Sequence, residues 1–230
     1  KAIELDDNLL EAKNLIGKTY ALSGDFEKAM NIIMQTLNQA ETSDNYHGLH
    51  TSLLHLGNIY SSQGDYDNAM KFLNRSLIIS EKVFDKKGIA GAMHNIGIIY
   101  KHKGDYKKAI KSISYALNVF EEMDDKLGVA NALGNLGLFS LGKGKYNAAL
   151  NYLERAKENY EKINDQMRIG LSLNNIGTVY QKQCDYENAL EVFNEALEIQ
   201  KKLGDSIHMG YTLGSIGLIN FDIGDYNKAL

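Results

Sequence analysis

The stretch Asn175-Ile176-Gly177-Thr178-Val179-Tyr180 is followed shortly by Tyr186-Glu187-Asn188-Ala189-Leu190, and this pattern returns every forty residues along the chain. The repeated glycine stands at Gly17, Gly57, Gly97, Gly137, Gly177 and Gly217. The repeated alanine stands at Ala29, Ala69, Ala109, Ala149, Ala189 and Ala229, and an aromatic residue precedes it at Phe26, Tyr66, Tyr106, Tyr146, Tyr186 and Tyr226. A fixed period of roughly 20 to 50 residues is the signature of stacked structural units.

The composition argues against disordered, nucleic-acid-binding, membrane-spanning and disulfide-rich proteins. The chain has 44% hydrophobic and 23% charged residues, without proline or tryptophan, which is typical of a folded chain and not of a disordered one. A net charge of −4 gives no electrostatic footprint for nucleic acid. No apolar run approaches the ~18 residues of a membrane span, and no signal peptide opens the sequence. The single cysteine, Cys184, excludes an internal disulfide framework and favours a reducing, cytoplasmic location.

Each unit contains two segments with apolar residues at helical spacing, so the sequence predicts paired helices. The first pair is predicted over Leu9–Leu22 and Phe26–Ala40. Later first helices are predicted over about 47–62, 87–102, 127–142, 167–182 and 207–222. Second helices are predicted over about 66–82, 106–122, 146–162 and 186–202, with a sixth beginning at Tyr226. Loops of about three to five residues predict antiparallel neighbours.

Capping and packing signals recur with the same period. N-cap residues are predicted at Asp25, Asn45, Asp85, Asp125, Asp165 and Asp205. The repeated glycine and alanine are predicted where the helices of a unit approach most closely. Lys145 replaces one capping Asp, and Ser140 and Asn220 replace a packing tyrosine, which favours bending near the fourth unit. Cys184 replaces a turn glycine, so that turn either changes geometry or carries strain with a purpose such as a redox role.

The order Leu/Ile-Gly-x-x-Tyr, then Gly-Asp-Tyr, then Ala-Leu resembles the tetratricopeptide repeat, a helix–turn–helix unit of about 34 residues. The resemblance recurs six times and covers essentially the whole chain, although the period of forty lengthens each junction and the junction proline is absent. The forty-residue form resembles Partner-of-Inscuteable-type scaffolds, kinesin light chains and bacterial Rap-type regulators. The resemblance implies an all-α, right-handed superhelical solenoid whose first helices line a concave groove.

We therefore expect one array over residues 1–230. Its parts are the end of a preceding helix over 1–6, repeats over about 7–45, 46–85, 86–125, 126–165 and 166–205, and a partial repeat over 206–230. Asp6-Asp7-Asn8 is expected to break the chain before the first complete helix. Both ends fall within repeats, so we expect the chain to continue or to self-associate end to end through uncapped termini.

Asparagine occupies the slot two residues before the repeated glycine in three consecutive units, at Asn95, Asn135 and Asn175. An amide side chain can hold both the N–H and the C=O of one peptide unit. With helices ~10 Å apart and a strand rising ~3.3 Å per residue, one asparagine per unit would hold about every third residue. In the scaffolds that the chain resembles, asparagine here binds partner backbone. The alternative is that these side chains bond to a neighbouring helix and hold the superhelical twist.

Other positions facing the groove are weaker candidates for peptide binding: His55, Asn58, His94, Asn174, Thr178, Lys18 and Lys101. The basic members favour an acidic partner segment, although an ordinary solvated surface is an alternative. The family's carboxylate-clamp set is not reproduced. His47 and His50 are three residues apart, with no acidic or cysteine partner in sequence, so no metal site is predicted.

The sequence thus predicts a protein-interaction scaffold that holds an extended or helical partner segment, with no nucleic-acid or membrane partner and no cofactor. It contains no paired acid and base, nucleophile constellation or phosphate loop, so it is not predicted to be an enzyme. One alternative is the regulatory arm of a larger effector (a kinase, nucleotide cyclase, caspase-like protease or NTPase) that binds a neighbouring domain in cis. Another is an assembly strut working through its ends.

Overall fold

The computed structural model describes the backbone of residues 2–225 and the side chains of residues 9–225. Its helices are α1 (Ala2–Leu22), α2 (Phe26–Thr42), α3 (Tyr46–Ser62), α4 (Tyr66–Lys82), α5 (Lys86–His102), α6 (Tyr106–Glu122), α7 (Lys126–Gly142), α8 (Tyr146–Lys162), α9 (Gln166–Lys182), α10 (Tyr186–Leu203) and α11 (Ser206–Asp222). The odd-numbered helices are called the A helices and the even-numbered ones the B helices. The predicted all-α repeat architecture is confirmed. The predicted helix beginning at Tyr226 lies outside the described residues.

The start of α1 differs from the prediction. Asp6-Asp7-Asn8 was expected to end a preceding helix, but α1 runs without a break from Ala2 to Leu22. Aspartate and asparagine cost at most about 0.7 kcal/mol per residue inside a helix, far less than proline. Because neither glycine nor proline lies between Ala2 and Ile16, nothing in this segment is strong enough to end the helix.

The predicted N-caps are confirmed, and Asp65, Asp105 and Asp185 cap their helices in the same way. A side-chain oxygen accepts from the backbone N–H three residues ahead at 2.8–3.4 Å, at Asp25, Asn45, Asp65, Asp85, Asp105, Asp125, Asp165, Asp185 and Asp205. Each bond satisfies one of the amides that a helix start leaves exposed. Lys145, at the start of α8, makes no such bond.

The turns between helices pass through the left-handed region. Gly144 and its equivalents in the A-to-B turns have φ between +68° and +84°, and Cys184 has φ +60° in the same place. Cys184 therefore keeps the glycine geometry instead of changing the turn, and its side chain is exposed. A residue with a Cβ carries a cost of about 1 kcal/mol there.

The repeated glycine marks the closest approach within each helix pair. A Cβ built on Gly17, Gly57, Gly97, Gly137 or Gly177 would lie 2.4–2.8 Å from a large side chain of the B helix. Those side chains are Ile33, Leu73, Ile113, Leu153 and Phe193. Since real Cβ atoms do not approach so closely, the predicted role of the glycine is confirmed for these five units.

The chain divides into two compact units, Lys1–Val119 and Phe120–Leu230. Within the first unit α1 contacts α3 and α3 contacts α5, and within the second α7 contacts α9 and α9 contacts α11. Consecutive A helices therefore touch directly in both units. Each of the B helices α2, α4, α8 and α10 contacts both the A helix before it and the A helix after it. None of the helices among the described residues is both long enough and apolar enough to cross a membrane.

We expect Gly97→Ala to lower the melting temperature, because the new Cβ would meet Ile113 Cγ1 at 2.5 Å and the Ala109 carbonyl oxygen at 3.1 Å. Overpacking costs about 1–3 kcal/mol, against a gain of about 1 kcal/mol in helix propensity. Gly134→Ala is the matched control, because nothing lies within 4 Å of a Cβ there. Thermal melts should place Gly134→Ala at or above the parent, and a Gly97→Ala melt at or above the parent would contradict this packing.

Candidate functional site

Polar side chains of the A helices line three cavities, two of them in the first unit. Cavity 1, of about 660 Å³, lies between α3 and α5 and is lined in part by Asn58, Ser62, Tyr66, Asn95, Ile98 and His102. Cavity 2, of about 290 Å³, lies between α1 and α3 and is lined in part by Lys18, Leu22, Leu54, His55, Asn58 and Ser62. Asn58 and Ser62 thus belong to both cavities, which flank α3.

Cavity 3, of about 260 Å³, lies in the second unit between α7 and α9. Its walls include Asn131, Asn135, Leu138, Tyr160, Arg168 and Asn175. Asn135 and Asn175, which the sequence placed in consecutive units, therefore line one cavity. Asn95 shares cavity 1 with Asn58, and Lys18 shares cavity 2 with His55.

The amides of Asn58, Asn95 and Asn175 are half-buried in these walls. Among the side chains and backbone that the structure describes, none of the three makes a side-chain hydrogen bond. Asn135 differs, because its Nδ2 donates to the Asn131 carbonyl oxygen of its own helix at 3.1 Å. Hydrogen-bonding groups fixed in a cavity wall but not used by the protein are available to a ligand.

A different slot carries the bonds that join consecutive A helices. Asn14 Oδ1 accepts from Ser52 Oγ at 3.0 Å, and Asn174 Oδ1 accepts from Thr212 Oγ1 at 2.9 Å. Both asparagines stand three residues before the repeated glycine, and both hydroxyls follow 38 residues later. Part of the Asn174 amide, a predicted ligand group, is therefore used inside the protein.

The sequence contains a signal for this pairing that the prediction missed. Where the slot three before glycine holds Leu54 or His94, the residue 38 positions later is Ala92 or Ala132 and has no hydroxyl. Each asparagine in this slot is thus matched by a hydroxyl, although Ser172 also stands 38 residues after Gly134.

The remaining predicted residues differ in their exposure and bonding. Thr178 Oγ1 donates to the Asn174 carbonyl oxygen at 2.8 Å within α9. Lys101 is half-buried near the end of α5, and Lys18 is exposed on α1.

Two predicted histidines are neutral at physiological pH. Burial lowers the pKa of His94 to about 4. Burial, with smaller effects from Lys18 and His50, lowers the pKa of His55 to about 4. These imidazoles supply no positive charge near pH 7, so Lys18 and Lys101 are the charged members of the predicted basic set.

Tyr160 is a cavity residue that the sequence prediction missed. Its hydroxyl donates to Asn131 Oδ1 at 2.8 Å, and burial raises its pKa to about 12. The equivalent slot holds Ala40, Ser80, Phe120 and Gln200 in other units. This variation at a B-helix position facing the next A helix is the signal that could have identified it.

The prediction that His47 and His50 have no acidic neighbour is wrong. Asp85, the N-cap of α5, places Oδ2 at 2.9 Å from His50 Nε2. The aspartate is distant in sequence and carries the pattern of a helix cap, so sequence spacing alone does not reveal the cluster.

Comparison with protein families finds a match to the tetratricopeptide repeat model over residues 8–82, 48–114, 88–162 and 168–230. Comparison with curated protein sequences finds no match at a significant level.

Three solved structures illustrate the likeness of fold. The apo form of RapI is 18% identical with a TM-score of 0.73, over 96% of this chain and 78% of that one. NprR in complex with its cognate peptide NprX is 16% identical with a TM-score of 0.65, over 96% of this chain and 64% of that one. A signal transduction ATPase with numerous domains from Pyrococcus horikoshii, which has a tetratricopeptide repeat sensor, is 18% identical with a TM-score of 0.70. That match covers 96% of this chain and 34% of the ATPase.

The buried histidines predict a loss of stability in mild acid. Because the folded pKa of His55 and His94 lies below the unfolded value of 6.5, stability is present at neutral pH and is lost as the pH falls towards about 4. Lowering the pH from 7 to 5 should cost about 2 kcal/mol of unfolding free energy for each histidine.

Urea unfolding at the two pH values should show a loss in His94→Gln that is about 2 kcal/mol smaller than the parent's. The control His102→Gln, which changes an exposed histidine of the same helix, should keep the full loss. An identical pH dependence in His94→Gln and the parent would show that burial of His94 does not disfavour its charged form.

Proposed function

We propose that this chain, which belongs to the tetratricopeptide repeat family, is a protein-interaction domain that binds a peptide segment of a partner along its A helices. The observation that carries the proposal is the set of half-buried amides at Asn58, Asn95 and Asn175 that no described group of the protein uses. The proposed role is binding and not catalysis.

The chemistry of the cavity walls suits peptide backbone. A secondary amide presents one hydrogen-bond donor and one acceptor. Each asparagine side chain can accept from the donor with its oxygen and donate to the acceptor with its NH₂ group. Asn58 and Asn95 in cavity 1 would hold backbone in the first unit, and Asn175 with Asn135 in cavity 3 would do so in the second. A net gain of about 0.5–1.5 kcal/mol per hydrogen bond makes the asparagines significant but individually modest contributors.

The charges along the cavity walls do not require the partner segment to be strongly acidic. His55 and His94 are neutral near pH 7, so they can contribute hydrogen bonds or apolar contact but no charge. Arg168 in cavity 3 is paired with Asp165. Lys18 remains exposed at cavity 2 and is the group that would favour an acidic residue at that end of the peptide.

Likeness of fold supports this reading without establishing the ligand. NprR, which shares the fold over most of this chain, was crystallised with its cognate peptide. For the present chain, peptide binding is proposed because the amides of Asn58, Asn95 and Asn175 make no side-chain hydrogen bond within the described part of the protein.

A second candidate function is a regulatory array that binds a neighbouring domain in cis. The Pyrococcus horikoshii ATPase favours it, because a tetratricopeptide repeat sensor there forms part of a much longer chain. The same A-helix surface would then bind an internal segment. Sequencing the gene downstream of the codon for residue 230 decides between the two candidates. A catalytic motif encoded in the same reading frame favours binding in cis, and its absence favours binding of a separate partner.

Peptide selection against the intact chain tests the proposal directly. A displayed random library would yield a binding peptide, whose affinity is then measured by fluorescence anisotropy. We expect Asn58→Ala/Asn95→Ala/Asn175→Ala to weaken binding by about 10- to 1000-fold, from the loss of several backbone hydrogen bonds.

The matched control is Asn74→Ala/Asn151→Ala/Asn194→Ala, which removes three exposed amides of the B helices. This variant should bind like the parent, and both variants should keep the parent's circular dichroism spectrum. Selected peptides that bind equally well to the A-helix variant, or lose affinity only with the B-helix variant, would overturn the proposal.

A further inference from the structure

Two histidines and an aspartate converge at the junction of the second and third repeats. His47 Nδ1 lies 3.3 Å from His50 Nε2, and His50 Nε2 lies 2.9 Å from Asp85 Oδ2. One potential ligand atom from each residue lies within 4.8 Å of the other two. These nitrogen and carboxylate-oxygen donors are ligand types that zinc-class cations take in proteins.

The fold holds the three side chains in place. His47 and His50 stand three residues apart in the first turns of α3, so they share one helix face. Asp85 is fixed at the start of α5, because its Oδ1 accepts from Gly88 N at 3.0 Å while Oδ2 points to His50. The His50 backbone is anchored as well, since Ser76 Oγ donates to its carbonyl oxygen at 2.8 Å.

The histidines depart from the repeat pattern. The slot of His50 holds Ala90, Ala130, Gly170 and Gly210 in later repeats, yet His50 is only 5% exposed. The slot of His47 holds Lys87, Leu127, Met167 and Ile207. A buried imidazole in a slot otherwise given to very small residues is a local violation of the repeat, and such violations concentrate at functional positions.

Two of the three spacings between ligand atoms suit a tetrahedral ion. Ligand bonds of about 2.0–2.1 Å at tetrahedral angles separate neighbouring ligand atoms by about 3.3 Å. The distance between His47 Nδ1 and His50 Nε2 equals that value, and the distance from His50 to Asp85 requires only a small expansion. His47 is exposed, which leaves the outer side of the cluster open to a water ligand.

Two unpaired polar atoms lie beneath the cluster. His50 Nδ1 and Ser80 Oγ are both buried and have no hydrogen-bond partner among the described residues. Ser80 Oγ and His50 Cε1 both lie against Gly88, at 2.4 and 3.1 Å from a Cβ built there. A metal on Nε2 would fix the proton on Nδ1, for which the unused serine oxygen is a candidate acceptor, as metal-bound histidines require.

We propose that His47, His50 and Asp85 bind one divalent cation of the zinc class, with water in the remaining position. Imidazole with a carboxylate suits Zn²⁺ and its neighbours Co²⁺, Ni²⁺ and Cu²⁺ rather than Mg²⁺ or Ca²⁺. The ion would join the start of α3 to the start of α5, and so stabilise the junction between two repeats. This site is independent of the proposed peptide cavities, because it uses none of their wall residues.

Isothermal titration calorimetry of the metal-free 230-residue chain with ZnCl₂, together with thermal melts at increasing ZnCl₂, tests the proposal. We expect one equivalent of Zn²⁺ to bind and the melting temperature to rise with added Zn²⁺. Co²⁺ should give the visible absorption bands of a four-coordinate site. His50→Ala, His47→Lys and Asp85→Asn should each weaken Zn²⁺ binding by at least about tenfold.

The variants are chosen to fold. His50→Ala and His47→Lys install the residues of the third repeat, Ala90 and Lys87, and Asp85→Asn keeps an oxygen for the cap. His208→Ala is the control, because His208 Nδ1 pairs with Asp205 Oδ2 without a second histidine. It should bind Zn²⁺ like the parent. The proposal would be overturned if the parent showed no saturable one-to-one binding of Zn²⁺. It would also be overturned if the His47 and His50 variants bound Zn²⁺ as tightly as the parent.

Discussion

The close approach of the two helices in each pair is the constraint on which the rest of the structure depends. A B-helix side chain such as Ile113 or Phe193 occupies the space where a Cβ would stand on Gly97 or Gly177. The glycine therefore fixes the distance and the rotation of each A helix relative to its B helix. Because the slots two and three residues before it move with that helix, the same contact also sets where the polar side chains of the A helices point.

Neighbouring slots of the A helices have separate roles as a result. Asn14 and Asn174 bond to hydroxyls of the next A helix and hold consecutive repeats together. Asn95 and Asn175 stand in the slot one residue further along the helix; their side chains make no hydrogen bond among the described residues and line cavities. A shift of one residue turns an α-helical side chain by about 100°, which separates an amide used for architecture from one available to a ligand.

Much of the fold could be predicted from the sequence because its determinants are local and repeated. Helix starts follow from Asp85 and its equivalents, turns from Gly64 and its equivalents, and helix contacts from the repeated glycine, so the same signal is read many times. The prediction failed at Asp6-Asp7-Asn8, where no periodic signal supported the proposed break. Weak propensities do not end a helix by themselves.

The candidate site was harder to predict because it depends on distances between residues of different repeats. Sequence spacing could not show that Asp85 reaches His50, or that burial leaves His94 uncharged, since both follow from tertiary packing. It also could not distinguish Asn174, bonded to Thr212, from Asn175 beside it. The period placed the asparagines on one stretch of each A helix, and the structure shows which of their side chains bond inside the protein.

The central claim is that amides of the A helices, held in place by the glycine contacts, bind the backbone of a partner peptide. Nuclear magnetic resonance of the chain labelled with ¹⁵N-asparagine, titrated with a selected peptide, observes these amides directly. We expect the Nδ2 resonances of Asn95 and Asn175 to shift on saturation, while those of Asn74 and Asn194 on the B helices stay in place. Saturable peptide binding that leaves the Asn95 and Asn175 resonances unmoved would contradict the claim.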